Sequence, residues 1–126
     1  EARVVRKRMG GGMRQAGILA AAGLVALDRH VARIAEDHAR ARRLAEALRD
    51  LPGFRIEPGE VRTNIVIAGV EPQGAEERVL AGMRDLGVLA GGMGPGRIRF
   101  VTHFDVDDAG LERAIRAIRE VSRGLA

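Results

Sequence analysis

Twelve consecutive residues, Ala16 to Leu27, carry no charged or polar side chain. Their Ala- and Leu-rich composition predicts a helix that is apolar on every side. Such a helix is normally buried on every side. A chain of 126 residues supplies one ordinary domain with a modest interior, so the run demands a partner surface. It is shorter than the roughly 20 apolar residues a membrane-spanning helix needs, and no secretory signal is visible. A cytoplasmic protein with no membrane partner is expected.

The rest of the composition is that of a globular chain, with 46% hydrophobic and 30% charged residues. Trp and Tyr are absent and Phe occurs three times, so the core must be aliphatic. The absence of Cys excludes disulfides, thiolate metal sites and cysteine nucleophiles. Of the 21 basic residues 20 are Arg, and 17 acidic residues are interspersed among them, giving a net charge of +4. That mixture predicts an ion-paired, solvated surface and no nucleic-acid partner. The scarcity of aromatics also argues against a stacking platform for single-stranded nucleic acid. The chain begins at Glu1 instead of Met; a piece of a longer chain and a trimmed terminus would look alike here.

After the apolar run, Val31, Ile34, His38, Ala41, Ala45 and Leu48 recur at helical spacing, which predicts one amphipathic helix from Asp28 to Leu51. Glu36 and Arg40 form a favourable i,i+4 pair on it, and Pro52–Gly53 stop it. A short strand is possible over Phe54–Glu57, and a better one spans Thr63–Val70. Pro72 suits a first helical turn, with Val79, Leu80, Met83 and Leu86 as the apolar stripe and Gly87 as the stop. Val88–Ala90 reads as a short strand and Gly91–Gly96 as a turn. Ile98, Phe100 and Thr102 alternate with Arg99, Val101 and His103, predicting a strand with two distinct faces. Asp107 or Asp108 caps a last helix whose stripe is Leu111, Ile115, Ile118, Val121 and Leu125. The order α-α-β-α-β-β-α predicts a small α/β sandwich, a short and mainly antiparallel sheet with helices on one face.

Two places could carry chemistry. Lys7 precedes Gly10-Gly11-Gly12-Met13-Arg14-Gln15. A glycine turn that opens a helix presents backbone N–H groups to an anion, and Arg14 and Lys7 would add charge. The segment is neither a P-loop nor G-x-G-x-x-G, and on its own a flexible turn before a helix is the plainer reading. The second place is Arg99, on a strand after a glycine loop, where it could bind a carboxylate or simply face solvent. His30 and His38 are eight residues apart and form no metal-site spacing. His38 falls on an apolar stripe and reads as a partly buried core residue. His103 and Asp105 offer only a weak hint of a dyad.

Taken in order, Arg6-Lys7, Gly10-Gly11-Gly12-Met13-Arg14-Gln15, Ala16-Gly17-Ile18-Leu19, Glu36-Asp37-His38, Thr63-Asn64 and Arg99-Phe100-Val101-Thr102-His103 with Asp105-Val106 resemble the low-specificity L-threonine aldolases. The resemblance covers essentially the whole chain, and its two end motifs are the specific ones. It implies the C-terminal part of a fold-type-I enzyme that uses pyridoxal 5'-phosphate to cleave L-threonine or L-allo-threonine to glycine and acetaldehyde. It implies a connecting segment and apolar helix over residues 1–27, packed on an N-terminal large domain or another subunit, and a small domain over 28–126. Arg99 matches the arginine that binds the substrate α-carboxylate. Lys7 and Arg14 match basic residues that reach the cofactor phosphate of a neighbouring subunit. The family's cofactor-binding lysine has no match, because Lys7 is the sole lysine and matches the later basic motif. The resemblance therefore implies no catalytic residue and no metal ligand in this chain, an inactive fragment, and a homotetramer when intact. Another lyase of the same fold type and a stand-alone basic module binding RNA or an acidic protein are the alternatives.

Overall fold

The computed structural model describes residues 1–56 and 61–125. The chain divides into two compact units, Glu1–Arg33 and Ile34–Ala126. The first contains α1 (Ala2–Arg8) and α2 (Gly17–Arg29). The second contains α3 (Ile34–Arg49), β1 (Phe54–Ile56), β2 (Ile65–Val70), α4 (Glu76–Asp85), β3 (Gly91–Gly92), β4 (Arg97–Val101) and α5 (Asp108–Ser122). Relative to the expected order, α1 is additional, and β1 forms where a short strand was possible. The Glu57 end of the possible first strand lies outside the described residues.

In the first unit, the basic opening segment is helical. Its Ala, Arg and Lys residues are good helix formers, and Arg6, Lys7 and Arg8 in the last turn suit the negative end of the helix dipole. The glycines that follow close this helix. Gly11 N–H donates to Arg6 O at 2.8 Å and Gly10 N–H to Lys7 O at 3.1 Å. With Gly10 at φ +83°, this pair of bonds is a Schellman C-cap. The expectation that the glycine run opens the next helix is thereby corrected, since α2 starts only at Gly17. The apolar run is helical as expected, and no residue of α2 is buried; Ile18 is 80% and Leu27 71% exposed.

The helix expected from Asp28 is broken. Residues His30–Arg33 form a turn and α3 begins at Ile34. The stripe that suggested continuity is not buried at its start, where Val31 and Ile34 are exposed, and is buried only from Ala41 onward.

The sheet of the second unit has the order β1-β2-β4-β3, with every pairing antiparallel. Phe54, Val66, Ala68, Val70, Ile98 and Phe100 point to one face and are buried with Leu44, Leu48, Val79, Met83, Leu111 and Ile118 from the helices. Helices α3 and α4 contact the strands, and α5 packs between α3 and α4. Burying each large aliphatic side chain contributes about 1.5–3 kcal/mol. The small sandwich with helices on one face is as the sequence predicts.

Three details differ. Pro72 sits in a cis peptide bond, four residues before α4, and not in its first turn. The edge strand is Gly91–Gly92, paired with Ile98 and Arg99, whereas Val88–Ala90 is not a strand. The apolar side chains at Val88 and Ala90 pack against the core instead. Finally, β4 ends at Val101, leaving Thr102 and His103 beyond it. The last helix is capped as expected: Gly110 N–H donates to Asp107 Oδ1 at 2.6 Å.

Candidate functional site

The open face of the sheet carries Arg99. Alternation along β4 buries Ile98 and Phe100 and leaves Arg99 and Val101 exposed on the other side. Arg99 stands opposite Ile67 of β2 and Gly91 of β3. A Cβ on Gly91 would lie 3.9 Å from Arg99 Nη2, so the guanidinium extends across the bare glycine. Among the described residues it has no carboxylate partner. An arginine so placed keeps its planar fork available for a bidentate carboxylate.

Lys7 and Arg14 belong to the first unit, and with Arg99 in the second they form no common site within either. Lys7 lies beside the glycine run: a Cβ on Gly12 would stand 3.5 Å from its Nζ. A Cβ at position 12 would therefore rest in ordinary van der Waals contact with that ammonium. Arg14 is exposed in the turn that precedes α2.

The end of β4 gathers motif residues that are distant in sequence. Thr102 is 3% exposed. Its N–H donates to Asn64 O at 2.9 Å, and its carbonyl accepts from Asn64 Nδ2 at 2.7 Å. Its hydroxyl donates to the Asp37 carbonyl at 2.7 Å. Asp37 in turn is paired with Arg40, which also meets Glu36 and Asp108. Burial lowers the Arg40 pKa, and its bond to Asp108 with the charges of Asp108, Glu36 and Asp37 outweighs this and leaves it raised. Arg43 ties Asp108 and Glu112 at 2.9 and 2.7 Å. The sequence reading recognised Glu36–Arg40 as a helical pair but missed the connection from α3 to α5 and to Thr102.

His103 and Asp105 do not make a catalytic dyad. Their side chains are 3.5 Å apart, and both are exposed. The Asp105 backbone N–H donates to His103 Nδ1 at 3.3 Å. A ring nitrogen that accepts this bond cannot also donate to the carboxylate. His38 is half-buried, as its position on the stripe suggests. A cleft of about 340 Å³ lies beside the end of β4, with Leu86, Leu111, Thr102, His103 and Arg113 among its walls. A second, of about 620 Å³, lies between Arg55 and Arg97. Arg99 lines neither and stands on the open sheet surface.

A small antiparallel sheet covered by helices on one face, with an arginine presented on the bare face, is consistent with the C-terminal domain of a pyridoxal-phosphate enzyme. The Beta-eliminating lyase family profile matches residues 1–71. The chain belongs to the beta-eliminating lyase family. It is 37% identical over 123 residues to a probable low-specificity L-threonine aldolase 2 of Arabidopsis thaliana, covering 96% of this chain and 35% of that protein. It is 32% identical to low-specificity L-threonine aldolase 1 of the same plant, over 95% of this chain and 34% of the relative. A low specificity L-threonine aldolase of Escherichia coli K12 is 41% identical over 101 residues, 80% of this chain and 28% of its own length. The chain thus spans about a third of the length of the curated relatives it matches.

Proposed function

We propose that this chain is the C-terminal part of an aldolase that cleaves L-threonine and L-allo-threonine to glycine and acetaldehyde with pyridoxal 5'-phosphate. The observation that carries this reading is Arg99, a guanidinium without an acidic partner among the described residues, held on the open face of the sheet. It binds the α-carboxylate of the substrate by a paired, charge-assisted contact. That contact fixes the orientation of the amino acid.

The residues present fit the phosphate end of the cofactor. Gly12 leaves space beside the Lys7 ammonium that a side chain would fill, and Lys7 and Arg14 would hold the phosphate. When bound, the cofactor supplies an electron sink for the charge left on glycine as the carbon–carbon bond breaks. Lys7 is the sole lysine of the chain. Committed to the phosphate, it leaves the covalent attachment of the cofactor to a residue outside this chain. By itself the chain therefore supplies anion-binding groups and performs no chemistry. A cytoplasmic homotetramer belongs to the same reading; the exposed apolar surface of α2 supports only a covering surface, the large domain or another subunit.

The test is Arg99→Ala in the intact protein. Losing a hydrogen-bonded contact to a charged group should lower kcat/KM for L-threonine by roughly 10- to 100-fold. Cofactor absorbance should be retained. A variant with near-normal kcat/KM would remove Arg99 from the site. Glycine release from threonine, compared with turnover of other β-substituted amino acids, distinguishes an aldolase from another lyase of the family.

A further inference from the structure

Arg99 has an insecure neighbour on one side. The strand β3 that flanks it consists of Gly91 and Gly92, which bring no side chains to grip β4. On the inner face, Ile98 and Phe100 hold β4 by apolar contact, which is non-directional. A slip of one residue would turn Arg99 from the open face into the core. Directional restraint comes from the β2–β4 ladder, Ile65–Gly69 opposite Arg97–Val101, and from the anchor at its end, three residues beyond Arg99. Thr102 continues the inward series after Ile98 and Phe100, and its N–H, carbonyl and hydroxyl are all engaged. Three bonds join it to Asn64, just before β2, the weakest from its hydroxyl to Asn64 O at 3.4 Å, and a fourth goes to the first turn of α3. The Asn64 side-chain amide therefore extends the β2–β4 pairing one rung past the last sheet pair, Ile65 opposite Val101.

We propose that Asn64 and Thr102 are positioning residues for Arg99, and that their clamp sets where the substrate carboxylate is held. The inference rests on the reading of Arg99 as the carboxylate ligand. The clamp works through the register of β4 and touches no substrate. Its loss should thus weaken substrate binding while leaving the chemical step alone. A purely structural role would lower stability without that selectivity.

The experiment measures KM and kcat for L-threonine in the intact protein, with thermal midpoints alongside. Thr102→Val removes the hydroxyl at nearly constant volume, and Asn64→Ala removes the amide. Each should raise KM by about tenfold, the equivalent of one hydrogen bond of ordinary strength, with kcat within about twofold. Thr102→Ser keeps the hydroxyl and should restore KM. Ser122→Ala is the control, because Ser122 is equally buried and its hydroxyl donates to Pro52 O at 2.7 Å, away from β4. It should lower stability and leave KM unchanged. If Thr102→Val does not fold, Asn64→Ala carries the same test from a less buried position. Unchanged KM in the clamp variants beside an impaired Arg99→Ala overturns the positioning role alone. Equal KM increases in Ser122→Ala and Thr102→Val overturn it as well. An ordinary KM in Arg99→Ala overturns the carboxylate reading, and the positioning role with it.

Discussion

Gly53 has φ +75°, and a Cβ there would lie 2.6 Å from Leu125 Cδ1 and 2.9 Å from the Glu71 carbonyl oxygen. Gly74 has a similar φ of +86° and nothing within 4 Å. Alanine at Gly74 meets only the left-handed backbone penalty, about 1–2 kcal/mol. Alanine at Gly53 adds overpacking against backbone, for a total of roughly 2–5 kcal/mol. Urea unfolding of the two variants should rank them in that order, and equal midpoints would show that the Leu125 contact yields freely. The Gly53 stop was legible in the sequence, as was the outward face of Arg99, because a strand's alternation assigns faces without any knowledge of neighbours. The Thr102 clamp was not. Its partners are 38 and 65 residues away, and a single sequence gives no signal for which distant carbonyl a hydroxyl will meet. The glycine run was misread for a local reason: Gly10 and Gly11 serve the helix before them, and the helical nature of Ala2–Arg8 was hidden under its charge.

At the scale of elements, the strongly periodic segments α3, α4 and α5 were legible, while their ends were not. Nothing in the spacing marks the break at His30–Arg33, since Val31 and Ile34 keep the apolar period although they stay exposed. The edge strand of two glycines violates strand preferences and forms because β4 offers a ladder beside it. The turn leading into β4 is linked to α4 by Glu76. Backbone N–H groups of Gly96, of Glu76 itself and of Gly74 hold its carboxyl below the ordinary value of 4.5. Among the described residues, Oε2 itself has no close hydrogen-bond partner. A lowered folded-state pKa means stabilisation that is complete above the unfolded value and is lost as pH falls through the folded one. The urea midpoint should therefore fall on acidification below about pH 4.5, and Glu76→Gln should flatten that decline. Identical acid profiles for the two proteins would remove Glu76 from the acid response.

For the whole molecule, the demand the sequence makes most plainly is that of α2 for a covering surface. No residue of that helix is buried, and Ile18, Leu19, Leu24 and Leu27 are all exposed. Contiguous apolar surface on this scale drives association. The isolated chain should scatter light as an oligomer and bind an apolar-surface dye, and replacing Ile18, Leu24 and Leu27 by Ser should reduce both. A sharp monomer that binds no dye would contradict this. The two short sheet edges bear on what form such association takes. Among the described residues, the edge strands span three and two residues, one carrying Arg55, and offer almost no ladder to a foreign strand. The route into fibrils by strand addition is thus nearly closed, while the helical route stays open. Aggregates of this chain should therefore be helix-mediated and reversible by detergent, without the cross-β signature of amyloid.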